Sequence, residues 1–362
     1  MYDVAVIGAG INGCSVVHEL TKAGKRVLLL DADGIASGGS GAAGAFISPK
    51  FSKAGELKEI LHDAFLYSME FYEKNFPKLF TKAQLLHIAK DSSDEEILKV
   101  YKSKTDLDVK ELETELGESI SIDAGIVHAK VMCEALAKSA IFKKIKVTHL
   151  LYDEGAWLIN ETYSAKEVVL ATGAYEQLIK EPYIKLRGVW GHRIDISTTT
   201  QNPYSIHQFV SISPSKEGIL AIGATHNVHY HPQTTQEPYD IQEGREELLQ
   251  KAGRTINLEN IKVLQDYTGL RSGSFDYMPM LGSLVLSRET LLNKSINFHV
   301  KKADYSEYSY YPNLSMINGS GGYGFVLAPY LAKILSAHIV GSKKISDRLS
   351  PARFFARWAK KL

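Results

Sequence analysis

The chain has 362 residues, of which 44% are hydrophobic and 23% charged, a composition that excludes disorder over most of its length. It exceeds the ~250–300 residues at which one core stops growing, so we expect two domains, and its net charge of +1 gives no argument for or against a polyanionic partner. The two cysteines lie far apart, we see no basic N-terminal leader, and we expect no apolar stretch of the ~20 residues that a spanning helix needs. These features favour a cytoplasmic protein without a membrane contact.

The N-terminal segment predicts a dinucleotide site. An apolar run at 4–7 leads into a GxGxxG motif formed by Gly8, Gly10 and Gly13, and a helical pattern and a second apolar run follow before Asp31. In such a unit the first glycine makes the tight turn, the second lets a pyrophosphate approach the backbone, and the third lets helix and strand pack closely. We expect the helix N-terminus to bind the pyrophosphate.

The acid that follows the second run would accept hydrogen bonds from the adenosine ribose. Asp31 is the first candidate, and Asp33 is the alternative. The small-residue loop from Ser37 to Gly44 comes directly afterwards and leads into the apolar Ala45-Phe46-Ile47. A flexible connection is one interpretation of this loop, and close approach to a flavin or its pyrophosphate is the one we favour.

Further along, the spacing of apolar residues predicts helices over 55–76 and 125–138 and, from a charged pattern, over about 91–117. The run Glu167-Val-Val-Leu-Ala-Thr-Gly-Ala-Tyr175 predicts a buried strand that ends at a glycine turn. A second glycine loop, Asn318-Gly-Ser-Gly-Gly-Tyr-Gly324, precedes an apolar helix, whose N-terminal dipole would face an anionic or electron-rich group.

These segments, in this order, resemble the D-amino-acid oxidase superfamily of FAD enzymes over essentially the whole chain. The resemblance is carried by GAGINGCS, ASGGSGAAG, VVLATGA, GLRSGSFDYMPMLG and GSGGYGFVLAP. It implies an α/β fold in which a Rossmann-like FAD-binding domain of the glutathione-reductase type is interleaved with an α+β substrate domain on an antiparallel sheet. We place the FAD-binding domain at 1–75, 125–180 and 265–362, and the substrate domain at 76–124 and 181–264.

A closer likeness is to one branch, the FAD-dependent oxidase half of bifunctional tRNA 5-methylaminomethyl-2-thiouridine biosynthesis enzymes. It is seen in GAFISPKFSK, HDAFLYSMEFY, IGATH and DYMPMLG. It implies conversion of 5-carboxymethylaminomethyl-uridine at the tRNA wobble position to 5-aminomethyl-uridine with release of glyoxylate, with tRNA as partner and dioxygen as electron acceptor. The methyltransferase half of that branch is not in this sequence, so such a domain or subunit is a possible partner.

Two alternatives stay open at this point. One is a small-molecule oxidase of glycine, sarcosine or D-amino acids, since these enzymes share the motifs in looser form. The other is a flavin-containing RNA-binding subunit without turnover. No cysteine lies at the C-terminal flavin-linking position of some sarcosine oxidases, so we expect noncovalent FAD.

The resemblance also implies the site residues. Arg271 lies where the relatives place a carboxylate-binding arginine, with a structural ion pair as the alternative. Lys53 matches a lysine of the tRNA-modifying branch, with an exposed lysine as the alternative. The residues expected to contact FAD lie in the glycine-rich turns and strand ends: Gly8, Gly10, Ile11, Asn12, Gly13, Asp31, Ala32, Ser37, Gly38, Ser40, Gly41, Ala42, Ala171, Thr172, Gly173, Arg271, Gly319, Ser320, Gly321, Gly322, Tyr323 and Gly324.

Histidines and the C-terminal tail complete the candidates. His192 is expected to be a hydrogen-bonded strand residue rather than a catalytic base. His226, His229 and His231 have the spacing of a metal site but no accompanying acids or cysteines, so we expect no metal. The tail 343–362 is basic with interleaved aromatics, and it predicts either an RNA contact or a final helix that docks its aromatics on the core.

Overall fold

The computed structural model describes residues 1–52, 55–175, 177–299, 303–341 and 343–362. The strands are β1 Tyr2–Ile7, β2 Val27–Asp31, β3 Phe46–Ile47, β4 Phe80–Ile88, β5 Val109–Thr114, β6 Gly117–Val127, β7 Ile141–Lys144, β8 Leu150–Asp153, β9 Ala156–Ile159, β10 Tyr163–Leu170, β11 Leu186–Ser197, β12 Ser205–His207, β13 Ser211–Ile212, β14 Ile219–Gly223, β15 Lys262–Ser274, β16 Met280–Val285 and β17 Tyr310–Asn318. The helices are α1 Ile11–Lys22, α2 Glu56–Asn75, α3 Ser92–Lys104, α4 Ala129–Ala137, α5 Ile241–Gly253, α6 Ser287–Leu292, α7 Gly324–Gly341 and α8 Ala352–Ala359.

The first sheet has the order β16-β17-β10-β1-β2-β7, and its strands β17, β10, β1, β2 and β7 are parallel. Alternate residues of a strand point to opposite faces, so a parallel strand covered on both sides is apolar throughout. In β1, Val4 and Val6 face the core formed with α1, α2, α4 and α7, whereas Ala5 and Ile7 face a second core. This explains why the first apolar run has no polar alternation.

The second core is closed by the C-terminal helix. Phe354 and Phe355 of α8 are buried there with Trp157, and Trp358 packs against the same cluster. The aromatic residues of the tail therefore dock on the protein and are not free to stack on a partner.

One helical segment of the described chain, Gly321–Gly341, is long and apolar enough to cross a membrane by length and composition alone. The expectation that no apolar stretch reaches this length was wrong. Leu331, Ala332 and Leu335 of this segment are fully buried, and α7 packs on α1 and α2. A core helix meets the same criteria, and burial between two other helices accounts for the apolar composition.

The second sheet has the order β15-β11-β14-β13-β12-β4-β6-β3, with β5 paired to β6, and it is antiparallel except between β12 and β4. The interleaved α/β and antiparallel architecture confirms the expected fold class. The long strand β15 pairs with β11 along its whole length and so belongs to this sheet, although 265–274 was assigned to the FAD-binding segments. The domain bounds stay a prediction.

The expectation of helix over about 91–117 was wrong beyond Lys104. Helix α3 ends there, and the chain forms β5 and β6, which pair with each other from Val109–Ile122 to Thr114–Gly117. The side chains of Ile120 and Ile122 are buried against the neighbouring sheet and helix. Burial across strands therefore outweighs the helical charge pattern of this segment.

Candidate active site

The turn between β1 and α1 has no room for side chains at two of its glycines. Gly8 has a φ of +106°, and a Cβ there would overlap the carbonyl oxygen of Ala171. A Cβ at Gly13 would overlap the carbonyl oxygen of Gly8, so this residue allows α1 to pack directly on the turn. The first helical turn contains no acidic side chain. The dipole at the N-terminus of α1 therefore makes this part of the cavity wall favourable for an anion.

Asp31, the last residue of β2, shapes this wall as well as lining it. Its Oδ2 accepts a hydrogen bond from the Ala9 amide at 2.7 Å, and its Oδ1 accepts from the amides of Asp33 and Gly34 at 2.9 and 3.0 Å. The carboxylate thus ties the glycine turn to the segment after β2. Contact with a ribose stays a prediction for Asp31 and for its alternative Asp33, and both line the cavity.

The small-residue loop after β2 packs against the turn and against β15. Ser40 Oγ accepts a hydrogen bond from the Ile11 amide at 2.9 Å. A Cβ at Gly39 would lie 2.5 Å from the Leu270 carbonyl oxygen, and one at Gly41 would overlap the Ala36 carbonyl oxygen. The loop is therefore a tightly packed wall and not a loose connection.

Asn318, at the end of β17, joins the remaining walls. It is fully buried, its Nδ2 donates to the Gly173 carbonyl at 2.9 Å, and its Oδ1 accepts from Ser272 Oγ at 2.8 Å. Next to it, Ser320 Oγ donates to Asn12 Oδ1 at 3.1 Å. One amide side chain therefore holds together segments that lie far apart in the chain, and the sequence analysis did not single it out.

These walls enclose a cavity of about 960 Å³. This is at the upper end of the range for small-molecule and cofactor sites, and much more than one amino acid needs. Every residue expected to contact FAD lines the cavity, except Gly13 and Gly41, which lie behind the wall in the tight packing described above. Lys53 lies outside the described residues. A cavity of this volume, lined by small residues, a helix N-terminus and Asp31, fits a dinucleotide.

Arg271 of β15 lies on the cavity wall at the opposite sheet. Its Nη1 donates to the Thr225 carbonyl at 3.0 Å, and a Cβ at Gly191 would lie 2.7 Å from its Nη2, so that glycine makes room for the guanidinium. No carboxylate of the described chain lies within 4 Å of this group, which argues against the ion-pair alternative. Burial lowers the pKa of Arg271, yet a guanidinium stays charged at neutral pH. Among the described residues, the cavity thus contains a cation without an anionic partner.

Arg187 of β11 is a second cation on the same wall, and it was not among the predicted site residues. It pairs with Gly273 while Val189 pairs with Arg271, so the two arginines are diagonal neighbours on one face of the sheet. Its Nη1 donates to the Tyr277 hydroxyl at 3.3 Å, and its Nε is buried without an acceptor in the described part of the protein. The signal that could have found it is the alternation of arginine and glycine in the two paired strands.

Two histidines that were also missed line the cavity. His87 of β4 and His207 of β12 are paired in register, and Phe51 and Phe46 pack on their rings at centroid distances of 4.3 and 5.3 Å. Burial lowers the pKa of His87 to about 4 and that of His207 to about 3. Both imidazoles are therefore neutral at pH 7 and add no positive charge to the cavity wall.

The other histidines divide between scaffold and cavity. His192 is fully buried, its Nε2 lies 2.9 Å from Asp266 Oδ1, and Arg245 Nε donates to the same oxygen, so it is a hydrogen-bonded strand residue. His226 lines the cavity, where burial and the charges of Arg271 and Arg187 lower its pKa. Within the described ranges no three His, Cys, Asp or Glu side chains cluster as a metal site, and the absence of a metal stays a prediction.

The family model for FAD-dependent oxidoreductases of the DAO type matches residues 3–338. The chain belongs to this family. Its cofactor is FAD, and the expected family, fold and cofactor are thereby confirmed; noncovalent binding stays a prediction. The turn after β1, the end of β2 and the loop at 318–324 all line the cavity, and the glycines of the turn and the loop leave room for the cofactor at the backbone.

Curated relatives fall into two groups. The bifunctional protein MnmC of tRNA 5-methylaminomethyl-2-thiouridine biosynthesis is 22% identical over 97% of this chain in Legionella pneumophila and 25% identical over 98% in Campylobacter concisus. The chain spans 57% and 60% of these two proteins. A glycine oxidase of Bacillus licheniformis is 25% identical over 78% of this chain and 84% of its own length.

Solved structures agree with the fold. Glycine oxidase from Bacillus cereus superposes with a TM-score of 0.75 at 20% identity, covering 95% of this chain and 96% of that one. L-alpha-glycerophosphate oxidase from Mycoplasma pneumoniae, solved with FAD bound, superposes with a TM-score of 0.70 at 16% identity, covering 97% of each chain. At these identities the likeness shows the architecture alone.

Proposed function

We propose that the protein is an oxidase that cleaves the C–N bond of a carboxymethylated secondary amine, and that its substrate is 5-carboxymethylaminomethyl-uridine at the tRNA wobble position. The observation that carries the proposal is the guanidinium of Arg271, which faces the cavity and has no carboxylate partner among the residues that the structure describes. A substrate with a CH2–COO⁻ group on its amine supplies the missing anion, and a planar two-pronged donor fits a carboxylate best. The MnmC relatives, matched over almost the whole chain, support the tRNA substrate.

In the proposed reaction, the carbon between nitrogen and carboxylate loses a hydride and the nitrogen loses a proton, which gives an imine. Water then adds to the imine, and the C–N bond breaks to release glyoxylate and the 5-aminomethyl group. FAD supplies the two-electron acceptor for this chemistry, and dioxygen takes the electrons on. The side chains of this protein bind and orient the amine.

Arg271 would fix the carboxylate in one orientation, since Thr225 and Gly191 define where its guanidinium lies. The same charge also acts on the amine. A nearby cation disfavours the ammonium form, and only the neutral amine has the lone pair that the oxidation requires. His87 and His207 are already neutral at pH 7, so the reaction does not require either imidazole to lose a proton.

A small-molecule oxidase of glycine, sarcosine or D-amino acids is the second candidate. It has its own support, because the B. licheniformis glycine oxidase is matched over most of its length, whereas the chain spans about three fifths of the MnmC proteins. The same arginine would bind the carboxylate of free glycine. A methyltransferase domain or subunit belongs with the first candidate and not with the second.

The tail 343–362 supports an RNA partner less than its composition indicates. Phe354 and Phe355 are buried, Arg353 is buried against Asp276, and Arg348 lies within 3.5 Å of Glu56 and Glu59. Lys360 and Lys361 remain exposed at the end of α8.

We propose a cytoplasmic location for the reaction, because tRNA is modified there and the free thiols of the chain stay reduced.

The test compares substrates with the purified holoenzyme. Peroxide and glyoxylate are measured with tRNA that carries 5-carboxymethylaminomethyl-uridine, with the same tRNA carrying unmodified uridine, and with glycine, sarcosine and D-alanine. We expect kcat/KM for the modified tRNA to exceed that for each amino acid by at least about a hundredfold, with stoichiometric glyoxylate. Equal efficiency with glycine would transfer the assignment to the second candidate, and no turnover with any substrate would favour a flavin-containing RNA-binding subunit.

A further inference from the structure

Two large aromatic side chains are exposed beside the cavity. Phe275 is 61% and Tyr277 is 60% exposed, and Tyr277 also lines the cavity. They flank Asp276 in the turn that connects β15 to β16. A folded protein usually covers large aromatic groups, so two of them in one turn, one of which lines the cavity, point to a partner that covers them.

The turn that carries them is held rigidly. Asp276 Oδ1 accepts hydrogen bonds from Ser274 Oγ at 3.1 Å and from the Met278 amide at 3.2 Å. Its carboxylate also pairs with Arg353, whose side chain is 7% exposed. The exposure of the two aromatic rings is therefore not the result of a loose loop. Because the turn is already ordered, binding of a partner would cost little backbone conformational entropy.

Positive charge accompanies the rings. The Arg187 guanidinium lies 4.7 Å from the centroid of the Tyr277 ring, and no carboxylate within the described ranges pairs with it. Arg357, with a side chain 62% exposed, contacts Asp276 of the same turn at 3.2 Å. The only carboxylate of the turn, Asp276, is thus paired with arginines of the protein itself. The exposed surface of the turn is therefore aromatic and cationic.

We infer that Arg187, Phe275 and Tyr277, here called the mouth platform, bind unpaired nucleotides next to the one whose modified group enters the cavity. Bases stack on the exposed rings and a phosphate takes the free guanidinium, which is the combination that proteins use for single-stranded RNA. The platform is continuous with the cavity through Arg187 and Tyr277, so a nucleotide loop would lie over the entrance while one base side group reaches Arg271. This inference rests on the proposed function and adds the RNA contact to it.

The first test measures binding without turnover. Fluorescence anisotropy of the holoenzyme with a labelled anticodon stem–loop RNA gives Kd for the wild type, Phe275→Ala, Phe275→Trp and Tyr204→Ala. Loss of one stacked base weakens binding about five- to a hundredfold, so we expect such a rise for Phe275→Ala and its reversal in Phe275→Trp. Tyr204, an exposed tyrosine that does not line the cavity, is the matched control, and its Kd is expected to stay within twofold of the wild type.

The second test concerns the cation. In the same assay, Arg187→Gln is expected to lower the slope of log Kd against log salt concentration by the amount that about one phosphate contact contributes. Arg254 stacks on Phe209 and does not line the cavity, so the control Arg254→Gln is expected to leave the slope unchanged. Because Arg187 also lines the cavity, the slope is the readout and not the activity.

The outcomes separate the inference from the proposed function. RNA binding that needs Phe275, without oxidation of the modified tRNA, would support the platform and overturn the proposed reaction. Oxidation of the modified tRNA with the same Kd and KM in Phe275→Ala would support the reaction and overturn the platform. An equal rise of KM for tRNA and for a small amine in Phe275→Ala would also overturn it, since the turn would then serve only the cavity. Binding of a protein instead of RNA at these side chains would overturn it as well.

Discussion

Arg353 donates two hydrogen bonds to the carboxylate of Asp276, from Nε to Oδ2 at 2.9 Å and from Nη2 to Oδ1 at 3.0 Å. This bidentate pair joins the last helix to the turn after β15, and both side chains are largely buried. A basic residue of the tail, where an RNA contact was one expectation, is therefore part of the scaffold of the site.

Removal of one charge from this pair is expected to destabilise the fold. Breaking a buried ion pair from one side leaves the other charge uncompensated, so Asp276→Asn should lower the free energy of unfolding by about 3 kcal/mol. Urea denaturation with the matched variant Asp347→Asn is the measurement. Asp347 contacts Lys344 at 3.5 Å on the surface, and its replacement is expected to cost less than about 0.5 kcal/mol. Equal effects of the two changes would contradict this.

The same pair gives an acid dependence. Burial alone would raise the pKa of Asp276, but the hydrogen bonds and charge of Arg353 hold it below its usual range. A lowered folded-state pKa gives stability that is present above the unfolded-state value of about 3.9 and is lost as the pH falls through the folded-state pKa. The stability difference between wild type and Asp276→Asn should thus be constant from pH 7 to about 5 and shrink in stronger acid. A difference that persists at pH 2 would speak against the ion pair as its source.

Replacement of Arg271 should separate substrate binding from cofactor binding. Loss of a bidentate charged contact costs about 2–4 kcal/mol, so we expect Arg271→Ala to raise KM for the anionic amine by about thirty- to a thousandfold while the protein stays yellow. Steady-state peroxide release and the flavin spectrum are the two measurements. Arg254→Ala, on a cation that does not line the cavity, is the control. Wild-type efficiency in Arg271→Ala would remove this residue from the site.

Gly13→Ala is expected to prevent cofactor binding. A Cβ there would overlap the Gly8 carbonyl oxygen, so α1 must move away from the turn and its amides leave the pyrophosphate position. The variant should purify without flavin absorbance or fail to fold. Gly253→Ala, where a Cβ would meet no atom within 4 Å, should retain the colour of the wild type. A yellow Gly13→Ala protein at full occupancy would refute the pyrophosphate assignment.

His207 should make stability fall on mild acidification. Burial lowers its pKa to about 3, so the neutral form is favoured in the folded state, and stability is lost as the pH falls from the unfolded-state pKa of about 6.5 towards 3. One such proton gives a slope of at most about 1.4 kcal/mol per pH unit. His207→Phe should reduce the slope between pH 6 and 4 by about that amount, as measured by urea unfolding at each pH. An unchanged slope would place the lost stability elsewhere.

The parts of the site that could be predicted are those encoded by contiguous residues. The GxGxxG turn and Asp31 follow one another within one strand–helix–strand unit, so spacing alone brings them together. Arg271 was found by resemblance to relatives, and not by its pattern. Lys53 and the domain bounds stay predictions.

The residues that were missed depend on contacts between distant strands. Arg187 becomes a cavity residue because β11 pairs with β15, and His87 and His207 meet because β4 pairs with β12. Asn318 joins Gly173 and Ser272, which are far from it in the chain. None of these pairings has a local sequence signal, and the same holds for β5, whose helical charge pattern is overridden by pairing with β6.

The parallel order of β2, β1, β10 and β17 has a consequence for biosynthesis. Strand β1 pairs with β10, which is made more than 150 residues later, and β10 pairs with β17, which is made later still. Until β10 and β17 have been made, the GxGxxG turn lacks the neighbouring strands that complete the cavity, so FAD cannot bind. We therefore expect FAD to bind only after β17 has left the ribosome and paired with β10.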